Sequence, residues 1–190
     1  TLILPRAGLR LFLDPSLANV TWFGRGPWEN YNDRKSGSPL GRHELTVQDF
    51  FEPYAKPQFM GNREDVRWVA LRDKKGHGLV IWDAGDTQDG FAFSALQVTD
   101  EQLAAADHPT NLKTLDATVL TLYDAPTSNG GAYCGPATLD EYRYNTSPRH
   151  LLLPKRPLSP GHYTYTSRGS KPVGPLDNHQ RDAKGTLTAP

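Results

Sequence analysis

Short apolar runs separated by turn-forming residues constrain the fold of this chain more than any other feature. The runs are Leu9 to Leu13, Val20 to Phe23, Val66 to Leu71, Leu79 to Trp82, Phe91 to Leu96, Ala117 to Tyr123 and His162 to Tyr165. Turn residues bound most of them, as at Asp73-Lys74-Lys75-Gly76 and Asp83-Ala84-Gly85-Asp86. Strands at such close spacing predict an all-β sandwich, and the 16 Pro and 17 Gly residues suit a chain with many turns. The clearest hairpin is Arg67 to Arg72 returning through the Lys-Gly turn as Gly78 to Trp82. Helix is expected in two short pieces. Thr99-Asp100-Glu101-Gln102 has the form of a capping box ahead of Leu103-Ala104-Ala105-Ala106, and Thr46 to Phe51 suits a single turn.

With 190 residues the chain has the length of one domain able to bury a substantial core. Apolar residues are only 37 % of the total, but four Trp, eight Tyr and seven Phe each bury a large area. Acids and bases balance at 21 each, so no field points to nucleic acid or an anionic membrane. Cys134 is the single cysteine, which excludes an internal disulfide. No apolar run reaches transmembrane length, and no basic segment with an apolar core opens the chain. Thr1-Leu2-Ile3-Leu4 reads as the middle of a strand, so the sequence looks like a piece of something longer. The expected division is a sandwich over 1–166 and an extended tail or linker over 167–190, where Gly, Pro, Lys and Asp dominate.

One segment is denser in special residues than a strand requires. Trp22-Phe23-Gly24-Arg25-Gly26-Pro27-Trp28-Glu29-Asn30-Tyr31-Asn32-Asp33-Arg34-Lys35 reads as a strand entering a tight turn, followed by an aromatic and ion-paired platform. Gly24 and Gly26 permit positive φ or close backbone approach, and Pro27 fixes a bend after them. Arg25, Glu29, Asp33 and Arg34 are expected to form a paired corner beneath the sandwich with Tyr31 packed on it, because an unpaired buried charge costs several kcal/mol. The competing use of these residues is direct contact with sugar. Arg63 and Arg67, near Trp68, either brace a strand end or line a carbohydrate groove. Among the tryptophans, Trp28 is the one expected at the surface.

The string G-R-G-P-x-E-N-Y-x-D-R resembles the signature that opens the C-terminal domain of bacterial β-galactosidases of glycoside hydrolase family 2. Leu4-Pro5-Arg6-Ala7-Gly8-Leu9 is similar to the preceding "LPRxGL" strand of that domain, and Pro53-Tyr54-Ala55-Lys56-Pro57-Gln58-Phe59-Met60-Gly61-Asn62-Arg63 to its "PYxxPQExGNR" segment. Gly130-Gly131-Ala132-Tyr133-Cys134-Gly135-Pro136 stands where the family has a "GGDxSWxP" loop. Four landmarks in family order make the match specific. It fades after Tyr144.

The resemblance implies an antiparallel supersandwich of the galactose mutarotase-like kind. It also implies that hydrolysis belongs to a preceding (β/α)8 barrel carrying two carboxyl groups about 5 Å apart, as retaining glycosidases require. This chain then supports the barrel without catalysing, takes no cofactor, and meets the β-galactoside only through the parent enzyme. A homo-oligomer in the bacterial cytoplasm or periplasm is the implied setting. Asn129, Tyr133 and Cys134 are the implied substrate-binding residues. The chain departs from the pattern here, because Cys134 occupies the place of a tryptophan that stacks on sugar, with Tyr133 just before it. Phe59 stands where the family has glutamate, which implies a remodelled interface between domains.

Two other functions fit the same sequence less well. A free-standing carbohydrate-binding module would hold sugar without a barrel, and a mutarotase-like epimerase would need a histidine and a carboxylate on either side of a sugar ring. No such pair is assignable here. Metal binding has little support, since the histidines at 43, 77, 108, 150, 162 and 179 are scattered. Asp83 to Gly90 lacks the terminal glutamate of a calcium loop and reads as a solvated hairpin loop. Nothing near Cys134 reads as a base or an anion hole, so it is not expected to be a nucleophile.

Overall fold

In the computed structural model the described residues are 6–83, 90–124, 126, 138–143, 151–152, 164–166 and 186–188. Their strands are β1 (Gly8–Leu13), β2 (Asn19–Arg25), β3 (Leu40–Thr46), β4 (Arg63–Val66), β5 (Trp68–Arg72), β6 (Gly78–Asp83), β7 (Phe91–Leu96), β8 (Thr118–Tyr123), β9 (Leu151–Leu152), β10 (Thr164–Thr166) and β11 (Thr186–Thr188). One sheet has the order β1-β8-β7-β4 and a second the order β3-β2-β5-β6-β9, while β10 and β11 pair with each other. Every pairing is antiparallel. The protein is an all-β sandwich.

Side-chain alternation explains how the layers meet. In the five-stranded sheet Trp22, Val69 and Ile81 share a row, as do Val20, Leu71 and Leu79. In the four-stranded sheet the matching rows are Phe93 with Leu122 and Ala95 with Leu120. Both sets belong to the main core. Trp22 ties the sheets together, its ring 5.8 Å from that of Phe93 and 5.5 Å from that of Phe50. Each such fully buried side chain is worth about 1.5–3 kcal/mol. The intervening residues Ala92 and Tyr123 point away from this core and meet Tyr31 and Phe59 in a second cluster. Strands β7 and β8 are therefore buried on both faces.

The helical expectations have their structural counterparts. In α1 (Asp100–Ala105) the Gln102 N–H donates to Thr99 Oγ1 at 3.3 Å, and Gln102 Oε1 accepts from the Thr99 N–H at 2.9 Å. Val47–Phe50 forms a 3-10 turn, where the Asp49 carboxylate accepts from the N–H and hydroxyl of Thr46. The β5–β6 hairpin closes through Asp73, whose carbonyl accepts the Gly76 N–H.

Two strand expectations need correction. Val66 to Leu71 is not one strand, because β4 pairs with β7 in one sheet and β5 with β2 in the other. The chain crosses between sheets at Arg67, whose N–H donates to the Phe23 carbonyl and whose carbonyl accepts the Asp83 N–H. Nor do β6 and β7, the strands on either side of the expected Asp83 to Gly90 hairpin loop, pair as a hairpin, since they lie in different sheets.

Candidate functional site

The dense segment begins where β2 runs out of the sandwich. Gly24 and Gly26 serve close approach. A Cβ at Gly24 would lie 2.9 Å from the Val66 Cα, and one at Gly26 would lie 2.7 Å from the Trp22 ring and 2.8 Å from that of His43. The Gly26–Pro27 peptide bond is cis. The Trp22 indole N–H donates to the Arg25 carbonyl at 3.0 Å, and the Gly26 N–H to that of Pro39 at 3.2 Å. The turn is thus fastened on both sides before Trp28 is reached.

Arg25 makes the first of two charged assemblies. Its Nε pairs with the Asp65 carboxylate, while Nη1 donates to the carbonyls of Lys35 at 3.1 Å and Ser38 at 3.0 Å. Lys35 Nζ reaches the other Asp65 oxygen at 2.9 Å. Asp65 sits at φ 55° in a register shift of β4, a left-handed conformation that aspartate tolerates better than most residues. Burial pushes the Asp65 carboxyl up, but hydrogen bonds from Lys35 and Arg25 outweigh it and hold it below the usual range.

Glu29 makes the second assembly. Its side chain is only 6 % exposed. The carboxylate accepts from the Tyr31 hydroxyl at 3.0 Å, from the Gly61 N–H at 3.0 Å, and also from Arg34 and the Tyr54 hydroxyl. Arg34 lies over the Tyr31 ring, 4.5 Å from its centroid, and Tyr31 stands edge-on to Phe59. Burial, reinforced by Glu29, pushes the Tyr31 phenol far up and also raises that of Tyr54. These four donors fill the carboxylate's capacity.

Beneath it lies a buried polar seam. The Asn30 Oδ1 accepts the Glu64 N–H at 2.9 Å, and its Nδ2 donates to the Trp28 carbonyl at 2.9 Å. Asn62 Nδ2 donates to the Asn30 carbonyl at 2.8 Å and to Glu64 at 2.7 Å. Arg63, 1 % exposed, has its guanidinium 4.5 Å from the centre of the Phe50 ring and 5.6 Å from that of Trp22. Its Nη1 donates to the Asn62 carbonyl at 3.2 Å. Burial pulls its pKa down to about 10 against the attraction of Glu29 and Glu52. Burial and the neighbouring Glu29 raise the Glu52 carboxyl, opposed by Arg63 and Arg34.

The structure therefore brings together Glu29, Tyr31 and Arg34, places Asn30 and Arg63 just below them, and gives Arg25 a separate partner. Asp33 is exposed. Asn129, Tyr133 and Cys134 lie outside the described residues. Arg67 donates from Nη1 to the Asp65 carbonyl. Phe59 corrects an expectation. It is 6 % exposed, packs edge-on against Tyr123 and lies under the Arg6 guanidinium, so it is used inside this domain rather than at an interface. The residues that sequence reasoning missed are Tyr54, Asn62, Glu64 and Asp65, while Lys35 stood in the dense segment without an assigned partner. Tyr54 and Asn62 stood inside a quoted landmark, and that was the available signal.

The two landmarks thus form one object, Gly24 to Arg34 closing on Tyr54 to Arg63 through the Glu29 carboxylate. Residues 1–152 match the family model described as beta galactosidase small chain. The chain belongs to the β-galactosidase small-chain family. A β-galactosidase of Priestia megaterium is 30 % identical over 153 residues, which is 80 % of this chain and 14 % of that protein. One of Arthrobacter sp. is 32 % identical over 155 residues, 80 % of this chain and 15 % of that protein. One of Lactobacillus delbrueckii subsp. bulgaricus reaches 42 % over 106 residues, 56 % of this chain and 10 % of that protein. The small-chain region thus spans about a seventh of the first two relatives. Among the described residues of this family member no three His, Cys, Asp or Glu side chains are grouped to hold a metal ion, and no helix is long and apolar enough to cross a membrane.

Proposed function

We propose that this chain is the non-catalytic C-terminal domain of a β-galactosidase-like retaining glycoside hydrolase. It braces the catalytic barrel and lends the segment carrying Asn129, Tyr133 and Cys134 to the rim of the sugar site. The observation that carries this reading is the state of Glu29. A retaining glycosidase needs a carboxylate free to attack the sugar and a second carboxyl about 5 Å away to deliver the proton. The Glu52 carboxyl, raised by burial and by the Glu29 charge, invites comparison with such a proton donor. Yet Glu29 is enclosed and accepts from four donors of its own chain, so it has neither access nor a spare lone pair. The corner is built to hold shape. Membership of a family whose relatives are about seven times longer than the matched region supports the same view.

The test is turnover of a chromogenic β-galactoside by the purified chain, alone and mixed with the remainder of the parent polypeptide. Activity is expected only in the mixture. Turnover by the chain alone, abolished by Glu52→Gln, would overturn the proposal.

A further inference from the structure

We propose that Trp28 is the anchor by which this domain docks on the remainder of its parent polypeptide, seating the indole in an apolar pocket there. This rests on the reading just given and adds a named contact to it. In the segment from Gly24 to Lys35 the aromatic Tyr31 and the polar Glu29 and Asn30 turn inward, while Trp28 is 67 % exposed, more than any other large apolar residue among the described residues. Burying that indole against another surface would gain the free energy of removing a large apolar area from water.

The frame around Trp28 is stiff. Its carbonyl is held by Asn30 Nδ2 at 2.9 Å, the Asn30 N–H is held by the Asn62 carbonyl at 2.9 Å, and the preceding turn is tied to Pro39. Arg25 fastens the adjoining 35–38 segment through two carbonyls and the Asp65 carboxylate. A tryptophan held by a fixed backbone loses little conformational freedom on binding, which is what makes aromatic anchors effective. Leu40, opposite Arg25 across the β2–β3 pairing, is 43 % exposed and adds apolar surface near the same end of the sheet.

The occupant is protein rather than sugar. An indole that stacks on a sugar ring is helped by side chains free to bond hydroxyls. The two residues following Trp28 are committed elsewhere, Glu29 to four donors and Asn30 at both ends of its amide. The relatives carry about 85 % of their length outside the matched region, which is ample polypeptide to supply the pocket.

The experiment compares the chain and its Trp28→Ala variant for association with the remainder of the parent polypeptide, produced as a second piece. Each is also titrated with galactose and lactose. Truncation is expected to weaken association by about 100-fold or more, in the range of interface hot spots. The thermal midpoint of the isolated chain should stay put, because the indole is exposed there. Trp28→Phe should recover part of the affinity. Unchanged association by Trp28→Ala would overturn the anchor and leave the parent reading standing. No association even with the unaltered chain would overturn both. Sugar binding by the chain that Trp28→Ala removes would overturn the choice of a protein occupant.

Discussion

The Glu29 knot and the Asp65 clasp lie on either side of the same turn, and each sets a carboxylate among cations, but they bear different loads. Asp65 meets two cations, Arg25 and Lys35, whose side chains keep 28 % and 30 % of their exposure. Water can solvate those cations if the acid is lost. Glu29 meets one cation and three neutral donors, Tyr31, Tyr54 and the Gly61 N–H, with the ring of Tyr31 fully buried. Water reaches those donors less easily. Burial therefore makes the knot the costlier one to break, although the clasp has more opposite charge.

The sharpest way to break that comparison is Glu29→Ala. It strands the Gly61 N–H, leaves the Tyr31 hydroxyl only its longer bond to the Phe59 carbonyl at 3.3 Å, and removes one of the carboxylates whose field offsets the buried Arg63. Leaving one buried donor without a partner costs about 1–3 kcal/mol and weakening a second adds to it, so a loss of about 2–3 kcal/mol in urea unfolding is expected. Glu29→Gln should recover part of it by keeping an acceptor for Tyr31. A loss below about 1 kcal/mol for the alanine variant would mean that water enters the knot freely.

Asp65→Asn should cost less, about 1 kcal/mol, because the cations it releases are partly hydrated and screened. The pH dependence sharpens this. The folded Asp65 carboxyl is held below its unfolded value near 3.8, so its contribution is complete above that value and disappears as pH falls through the lower folded one. Asp65→Asn should therefore flatten the stability profile only at strongly acid pH. A larger cost for Asp65→Asn than for Glu29→Ala would reverse the ranking of the two regions.

The same contrast explains what could be read from the sequence. Strands with a regular apolar face, β1, β2 and β5 to β8, were legible because burial demands the pattern. The edge strand β3 was not, since its residues Gly41-Arg42-His43-Glu44 carry little apolar weight. Strand β4 was hidden by a register shift that puts Glu64 and Asp65 where a regular strand would alternate. Within the site, the dense segment announced its own residues but not their partners. Arg25 finds Asp65 forty positions away and Glu29 finds Gly61 thirty-two away. Such pairings follow from how two loops pack, which local spacing does not encode. The ion pair that spacing suggests most directly, Glu29 with Arg34, is the one formed nearby in sequence.

The smallest effect expected concerns His43, which packs beside Gly26 at the turn between the two regions. Its ring lies 5.3 Å from that of Trp22, and Nε2 is 3.3 Å from the Pro39 carbonyl. Burial lowers its pKa below 6.5, and the Arg63 guanidinium adds to this against the hydrogen bonds to Pro39 and Gly24. The unfolded chain thus takes up a proton that the folded chain resists. Stability is complete above the unfolded value and falls as pH drops through 6.5 toward the folded one, where the loss levels off. This window lies well above that of Asp65, so the two are separable in one series of urea melts. His43→Gln should remove the loss that sets in as pH falls through 6.5 and leave the acid limb belonging to Asp65 in place. Because His43 is only half-buried, the change should be a fraction of that for Glu29→Ala. If His43→Gln leaves the neutral limb as steep as before, a group other than the His43 imidazole sets that limb, and burial beside Trp22 does not resist its proton.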